Sequence, residues 1–507
     1  MPISTRLKPN LYKDSVALMR IAEKLLADPQ ITRATLVMGT PANKEILEEA
    51  GLLNGEAAKA KPSDLIIVVE AASEAAATAA FAKVNESLSA AAIKSDGASR
   101  EIAAKTVTMA LPRLAGANIA QISAPGAYAG AEALKAVKAG LNVFLFSDNV
   151  PLAQEITVKQ LARTKGLLVM GPDCGTAIIG GVPLGFANVV RRGRIGFVGA
   201  SGTGLQEVTV QTHSLGEGIS QAIGTGGRDV KAEVGGITML MALDLLAADP
   251  ATEIIGIVSK PPAPEVMTAV IERAGRTAKP VVVCFLGGER ISTSANVYQT
   301  STLFDCADAC VALAQKRKSV AAQFASSQHA QGLGKTQKFI RGLFSGGTFS
   351  TEAQVALRDA GVASWSNVAL DKSRTVADLH RSQEHTILDL GDDDFTVGRP
   401  HPMIDPSTRI ARIAQEAADP QTAVILLDIV LGYAGHMDPA GALVPAIRKA
   451  QIDAQAQGRR LLFVAFVCGT EEDPQVRSTQ EAKLLEAGCI LGRSSTEAAR
   501  MAAALVA

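Results

Sequence analysis

An α/β protein built on parallel sheets is the fold class that this sequence predicts, and three observations predict it. First, short continuous apolar runs recur along the chain, at 34–38, 65–69, 143–146, 167–170, 195–198, 219–223, 254–258 and 281–285. Runs of that length, rich in β-branched residues and without polar alternation, read as strands buried on both faces. Second, the intervals between them are Ala/Leu/Glu/Lys stretches with helical spacing, such as 131–139, 151–164 and 237–247. Strands alternating with helices argue for crossovers that cover a parallel sheet. Third, several of these strands end in glycine turns that open helix-compatible sequence.

With 507 residues, the chain has room for about three domains of ~150 residues each. An N-terminal domain is expected over 1–190, splitting near Arg191 from a second domain over 191–318. The stretch 319–338 (SVAAQFASSQHAQGLGKTQK) is polar, Ser/Gln-rich and aperiodic, and reads as a linker. Alternation restarts at 340–344, 386–390, 424–430 and 461–467, giving a separate C-terminal α/β domain over 339–507.

Composition removes several classes of function. The 50 basic and 50 acidic residues cancel, no Lys/Arg-rich run occurs, and four Tyr with one Trp leave little for base stacking. Nucleic acid is therefore not the expected partner. The longest apolar stretches, such as 461–467, are strand-length, and the N-terminus has no apolar leader, so neither membrane nor secretion is expected. The six cysteines (174, 284, 306, 310, 468, 489) form no CxxC pair. They read as buried thiols of a cytoplasmic protein, with no metal site expected. Cys174, in GPDCGT, reads as a turn residue.

The segment 194–227 is the most informative. A strand at 195–198 breaks into Gly199-Ala200-Ser201-Gly202-Thr203-Gly204 and then a helix; a second strand at 219–223 ends in Gly224-Thr225-Gly226-Gly227. A glycine turn opening a helix presents free backbone N–H groups and the positive end of the dipole, which suits phosphate. Ser201, Gly202, Thr203, Gly226 and Gly227 are thus candidate phosphate ligands, although an ordinary tight turn has the same spelling. Downstream, the strand 424–430 runs into Leu431-Gly-Tyr-Ala-Gly-His-Met-Asp-Pro-Ala-Gly441. There Asp438 is placed as N-cap and Pro439 in the first helical turn. Gly432 and Gly435 join the phosphate candidates, and the two glycine turns are expected to face each other across one cleft. His436, held at a sheet's carboxyl edge, is the candidate for phosphate contact or proton transfer, against a capping or packing role. In 388–406, three aspartates precede Gly-Arg-Pro-His-Pro. Arg399 has the fork for a carboxylate or phosphate and His401 is fixed between prolines; a solvated acidic turn is the alternative. Asp392-Asp393-Asp394 also has the donor type for Mg²⁺.

These strings carry a resemblance. APGAYAGAEALKAVKAGLNVFLFSDNVP (124–151), GLLVMGPDCGTAII (166–179), GRIGFVGASGTGLQEV (193–208), IGTGG (223–227) and DPATEIIGIV (249–258) resemble the α subunit of succinyl-CoA synthetase. Residues 386–507 resemble the C-terminal domain of that family's β subunit. LYKDSVALM, LVMGTPANK, LDLGDDDFTVGRPHPMIDP and LGYAGHMDPAG resemble the FdrA family along the whole chain. The resemblance implies a Rossmann-like, CoA-binding-type domain followed by two flavodoxin-like domains. It further implies a subunit of oxamate carbamoyltransferase, working with two partner proteins in anaerobic allantoin and purine breakdown. There oxalurate and phosphate give oxamate and carbamoyl phosphate. On that reading His436, Arg399 and His401 carry the chemistry, phosphate or carbamoyl phosphate is substrate, and the enzyme is an oligomer with no certain cofactor.

Departures from succinyl-CoA synthetase matter as much. That family's phosphorylated His sits in a Gly-His-Ala-Gly loop, where this chain has FLGGERISTSANVYQ (285–299) without a His. The N-terminal CoA loop is unrecognisable in MGTPANK, and the ATP-grasp domain is missing. CoA is therefore a doubtful ligand on sequence grounds, and an acyl-CoA ligase or a non-catalytic scaffold are the alternatives.

Overall fold

The computed structural model describes all residues except 1, 12, 14, 27, 41–42, 45–46, 49–50, 94–103, 105, 320–332, 397–398 and 507. Most of the expected linker lies outside the described residues. The chain divides into two compact units, 1–103 with 396–400, and 104–395 with 401–507.

The first unit carries β1 (Ile3–Lys8), β2 (Ile31–Met38) and β3 (Leu65–Ala71) in the order β1-β3-β2. Both pairings are antiparallel. The Rossmann-like region is thus narrower than the expected 1–190. The apolar run at 65–69 misled because β3 is buried on both faces, as a parallel strand would be. Leu65, Ile67 and Val69 pack with Leu18, Leu25 and Phe81, while Ile66 and Val68 pack with Leu47 and Leu52.

In the second unit, β4 (Ile119–Ile122), β5 (Asn142–Leu145) and β6 (Val169–Met170) form a small parallel sheet. Helices Gly126–Lys138 and Leu152–Thr164 connect them. Next comes a seven-stranded sheet in the order β13-β12-β11-β9-β10-β7-β8. Its strands are β7 (Thr176–Ile179), β8 (Val182–Gly185), β9 (Arg192–Gly199), β10 (Ile219–Gly224), β11 (Ile254–Ser259), β12 (Val281–Phe285) and β13 (Val297–Thr300). From β9 to β13 all pairings are parallel, and β7 and β8 add an antiparallel hairpin on the β10 edge. The last sheet is parallel throughout, ordered β15-β14-β16-β17-β18. It comprises β14 (Phe339–Phe344), β15 (Thr386–Asp389), β16 (Thr422–Val430), β17 (Leu462–Cys468) and β18 (Ile490–Gly492).

Counted from β9 and from β14, both sheets have the flavodoxin-like order 2-1-3-4-5. Each therefore has a crevice where the winding reverses, outside the ends of β9 and β11 in one and of β14 and β16 in the other. One apolar core joins the two sheets, running from Phe197 and Leu205 through Phe349 to Phe466 and Ala502. Helices Gly202–Ser214, Leu303–Gln315, Gly347–Asp359 and Ser495–Ala504 contribute to it. No helix among the described residues is long and apolar enough to cross a membrane.

Candidate functional site

The shared core brings two helix N-termini together. Ser201, in extended conformation, caps the helix Gly202–Ser214 by accepting the Gly204 N–H at 3.0 Å. Gly346, also extended, opens the helix Gly347–Asp359. The Ser201 and Thr348 hydroxyls hydrogen-bond to each other across the gap. A Cβ on Gly346 would lie 2.6 Å from Thr203 Cγ2, so the two chain entries approach as closely as glycine allows. Ser345 anchors its turn by donating its N–H and Oγ–H to Asp428 at 3.0 and 2.5 Å; Asp428 in turn pairs with Arg409 at 2.8 Å. The result is a set of orphan N–H donors from two helices, each 13 residues long, converging on one place.

Around these turns stand groups that the sequence pattern did not single out. Asp389 ends β15 and Lys260 directly follows β11. A Cβ on Gly347 would lie 2.6 Å from Asp389 Oδ2 and 3.3 Å from Lys260 Nζ. Burial pushes the Asp389 carboxyl up to about 7, against the pull of Lys260 and of the Gly391 N–H. The signal for the second turn was present as strand, Phe344-Ser-Gly-Gly-Thr348, helix, the same grammar as at 195–204. Asp389 and Lys260 had none, because only the sheet order brings them together.

Of the residues expected from sequence, Ser201, Gly202 and Thr203 lie at the convergence. Their partner turn is 346–348, not Gly432–Gly441 as the sequence reading paired them. Gly226 and Gly227 lie beside it: the Thr225 N–H donates to the Gly199 carbonyl, and a Cβ on Gly227 would be 3.9 Å from the Ala200 carbonyl. The Gly432–Gly441 turn packs against the 187–188 loop instead. Gly432 has φ +110°, its added Cβ would meet the Ala187 carbonyl at 2.5 Å, and Leu431 O accepts from Asn188 and Gln206. Gly435 lies over the Gly432, Met403 and Val430 carbonyls. His436 is engaged within its turn: its N–H donates to Met403 O and its Nδ1 accepts the Asp438 N–H at 3.0 Å. That leaves Nε2 to carry the proton of the neutral ring. Asp438 caps the helix Pro439–Ala456 through the Gly441 N–H.

His401 sits over Phe186 at 5.5 Å between ring centres, with Nε2 reaching to 2.7 Å from a Cβ placed on Gly391. Burial, assisted by Arg409, lowers its pKa to about 4, so it is neutral at pH 7 and does not supply the cation expected of a phosphate partner. Arg399 is exposed and belongs to the first unit with 396–400. No group of three or more His, Cys, Asp or Glu side chains is arranged for a metal among the described residues, Asp392–Asp394 included.

Family models match in three places. The CoA binding domain matches 190–287, the CoA-ligase model matches 343–505, and a model described as AllF, heavy metal-associated domain, matches 1–104. Residues 1–104 contain neither Cys nor His. The soft donors that bind heavy metals are missing there, so the residues do not fit such a metal.

Among similar proteins, the uncharacterized protein YahF of Escherichia coli is 43% identical over 99% of this chain and 98% of its own. The ADP-forming sulfoacetate-CoA ligase subunit SauD of Bilophila wadsworthia is 29% identical over 34% of this chain and 60% of that protein. The succinate–CoA ligase [ADP-forming] subunit alpha of Aquifex aeolicus is 31% identical over 28% of this chain. The match spans only 47% of that subunit. Relatives and models with a stated activity are of CoA-ligase type, and this overturns the expectation of a carbamoyltransferase.

Proposed function

The chain belongs to the family of YahF, assembled from succinyl-CoA-ligase-like domains, and on that premise we propose that its paired helix N-termini hold the phosphoryl group of phosphate or an acyl phosphate during ligase-type acyl transfer to or from a thiol of the coenzyme A class. The observation that carries this reading is the direct contact between Ser201, the cap of one helix, and Thr348, in the first turn of the other, at the joined switch-point crevices of two flavodoxin-like sheets. Ligands of open α/β sheets bind at such points. Aligned dipoles and preorganised N–H donors stabilise the charge that collects on phosphate as its bond to the acyl carbon breaks.

The segment 285–299 has no His to be phosphorylated. Activation of the acyl group therefore falls to a partner subunit in this proposal, and the chain performs the half-reaction between acyl phosphate and thioester. The four strings at 11–19, 36–44, 388–406 and 431–441 support the finer placement in the FdrA family.

The test uses the purified full-length chain. Saturable binding of inorganic phosphate by calorimetry, and thioester formation from acetyl phosphate and CoA followed by ultraviolet absorbance, are expected. Replacing Ser201 and Thr348 together by alanine should weaken phosphate binding about tenfold or more, two charge-assisted donors being disturbed. Wild-type protein that neither binds phosphate nor forms thioester would overturn the reading.

A further inference from the structure

Two side chains from different sheets converge on the start of the helix Gly347–Asp359. A Cβ on Gly347 would meet Asp389 Oδ2 at 2.6 Å and Lys260 Nζ at 3.3 Å, so a carboxyl and an ammonium group converge on the backbone that opens the helix. Asp389 is 6% exposed. Its Oδ1 accepts the Gly391 N–H at 3.0 Å, and its Oδ2 makes no hydrogen bond among the described residues. Lys260 is exposed to solvent at the end of its strand. A largely buried carboxyl with one oxygen open toward a helix N-terminus is placed to meet a ligand there.

We propose that Asp389 is the acid that gives its proton to phosphate departing from an acyl phosphate, and that Lys260 holds that phosphate against the two helix N-termini. This deepens the function proposed above and rests on it. In the step, a thiolate attacks the acyl carbon, the bond from that carbon to the phosphate oxygen breaks, and its electron pair passes to that oxygen. The Asp389 proton then transfers to the phosphate, leaving thioester, monohydrogen phosphate and the Asp389 carboxylate, which solvent reprotonates. Overall charge is unchanged.

The groups facing Asp389 set its proton affinity. Lys260 beyond β11 and the Gly391 N–H favour the carboxylate; Asp392 on its own loop and Asp428 on β16, itself paired with Arg409, disfavour it. His401, near Gly391, is neutral. Burial dominates and places the carboxyl at about 7, near neutral pH, where a general acid both holds its proton and can give it up to the departing phosphate oxygen. An ionised Asp389 would repel the bound anion, so phosphate affinity must fall as pH rises through that value.

The experiment measures inorganic phosphate affinity of the full-length chain by calorimetry from pH 6 to 9, for wild type, D389N and K260M. The amide introduced by D389N retains an acceptor for the Gly391 N–H, so the fold is kept. Wild-type affinity is expected to fall about tenfold or more between pH 6.5 and 8.5, and D389N to lose most of that fall. K260M should be weaker about tenfold at every pH while keeping the slope. Thioester formation from acetyl phosphate should drop by about 100-fold or more in D389N, the usual scale for losing a general acid. A D389N profile that matches wild type, on saturable binding, overturns this proposal alone. No saturable binding by wild type at any pH overturns the phosphate site itself, and this proposal with it.

Discussion

At the scale of the residue, the site depends on atoms that are missing as much as on those present. Gly346 has φ −157°, a conformation open to any residue, so its requirement for glycine is purely one of space. The intruding Cβ would stand 2.6 Å from Thr203 Cγ2 and 2.9 Å from Thr203 Oγ1. Thr203 is short and stiff at χ1 and cannot swing aside. G346A is therefore expected to destabilise the protein by about 1–3 kcal/mol, as overpacking does, read from the urea midpoint. T203S in the same chain should recover much of the loss, since it removes the methyl in the way. A G346A protein as stable as wild type would mean that the two helix entries are not held this close. His436 illustrates the opposite case. Its residue type suggested chemistry, but its Nδ1 is already an acceptor for the Asp438 N–H in its own turn.

At the scale of the element, the helices Gly202–Ser214 and Gly347–Asp359 share one hydroxyl pair, between the Ser201 cap of the first and Thr348 in the first turn of the second. Ser201 both caps its own helix and bonds to Thr348. S201A should cost about 1 kcal/mol as a lost N-cap, and T348V about as much through the unpaired hydroxyl. If the two hydroxyls act as one unit, the double variant loses less than the sum, with a coupling of about 0.5–1.5 kcal/mol in a denaturation cycle. Strict additivity would show two independent hydroxyls. This pairing also marks how far the sequence was legible. Strands buried on both faces announced themselves as unbroken apolar runs, and the Ser201 turn by its glycines. The antiparallel sheet of 1–103 did not, because β3 is covered on both faces and spells like a parallel strand. The partner turn at 346–348 had the same local grammar as the Ser201 turn. Which two turns meet is decided by the order of strands, which local pattern does not encode. Asp389 and Lys260 were illegible for the same reason.

At the scale of the whole molecule, the two flavodoxin-like sheets are joined across buried carboxylates. Glu352 accepts the Leu303 N–H at 2.7 Å and the Thr496 hydroxyl at 2.9 Å, and also bonds to Ser495; Glu207 accepts the Ser495 N–H at 3.1 Å. Three helices thus meet on Glu352, and a fourth is tied in through Glu207. Burial pushes Glu352 up to about 7 from the usual 4.5, and raises Glu207 too. The folded state therefore binds protons that the unfolded chain has already released between pH 4.5 and 7, so stability falls as pH rises through that window. Below it both states are protonated and the penalty vanishes; above pH 7 it is complete. For Glu352 the full penalty is on the order of 3 kcal/mol, the distance from 4.5 to about 7 taken at about 1.36 kcal/mol per pH unit. The E352Q substitution leaves no charge to bury, and the amide can meet the same hydroxyls. E352Q should consequently flatten the decline in urea midpoint between pH 5 and 8 and be the more stable protein at pH 8. If both proteins declined in parallel, the carboxylates joining the sheets would be ionised throughout.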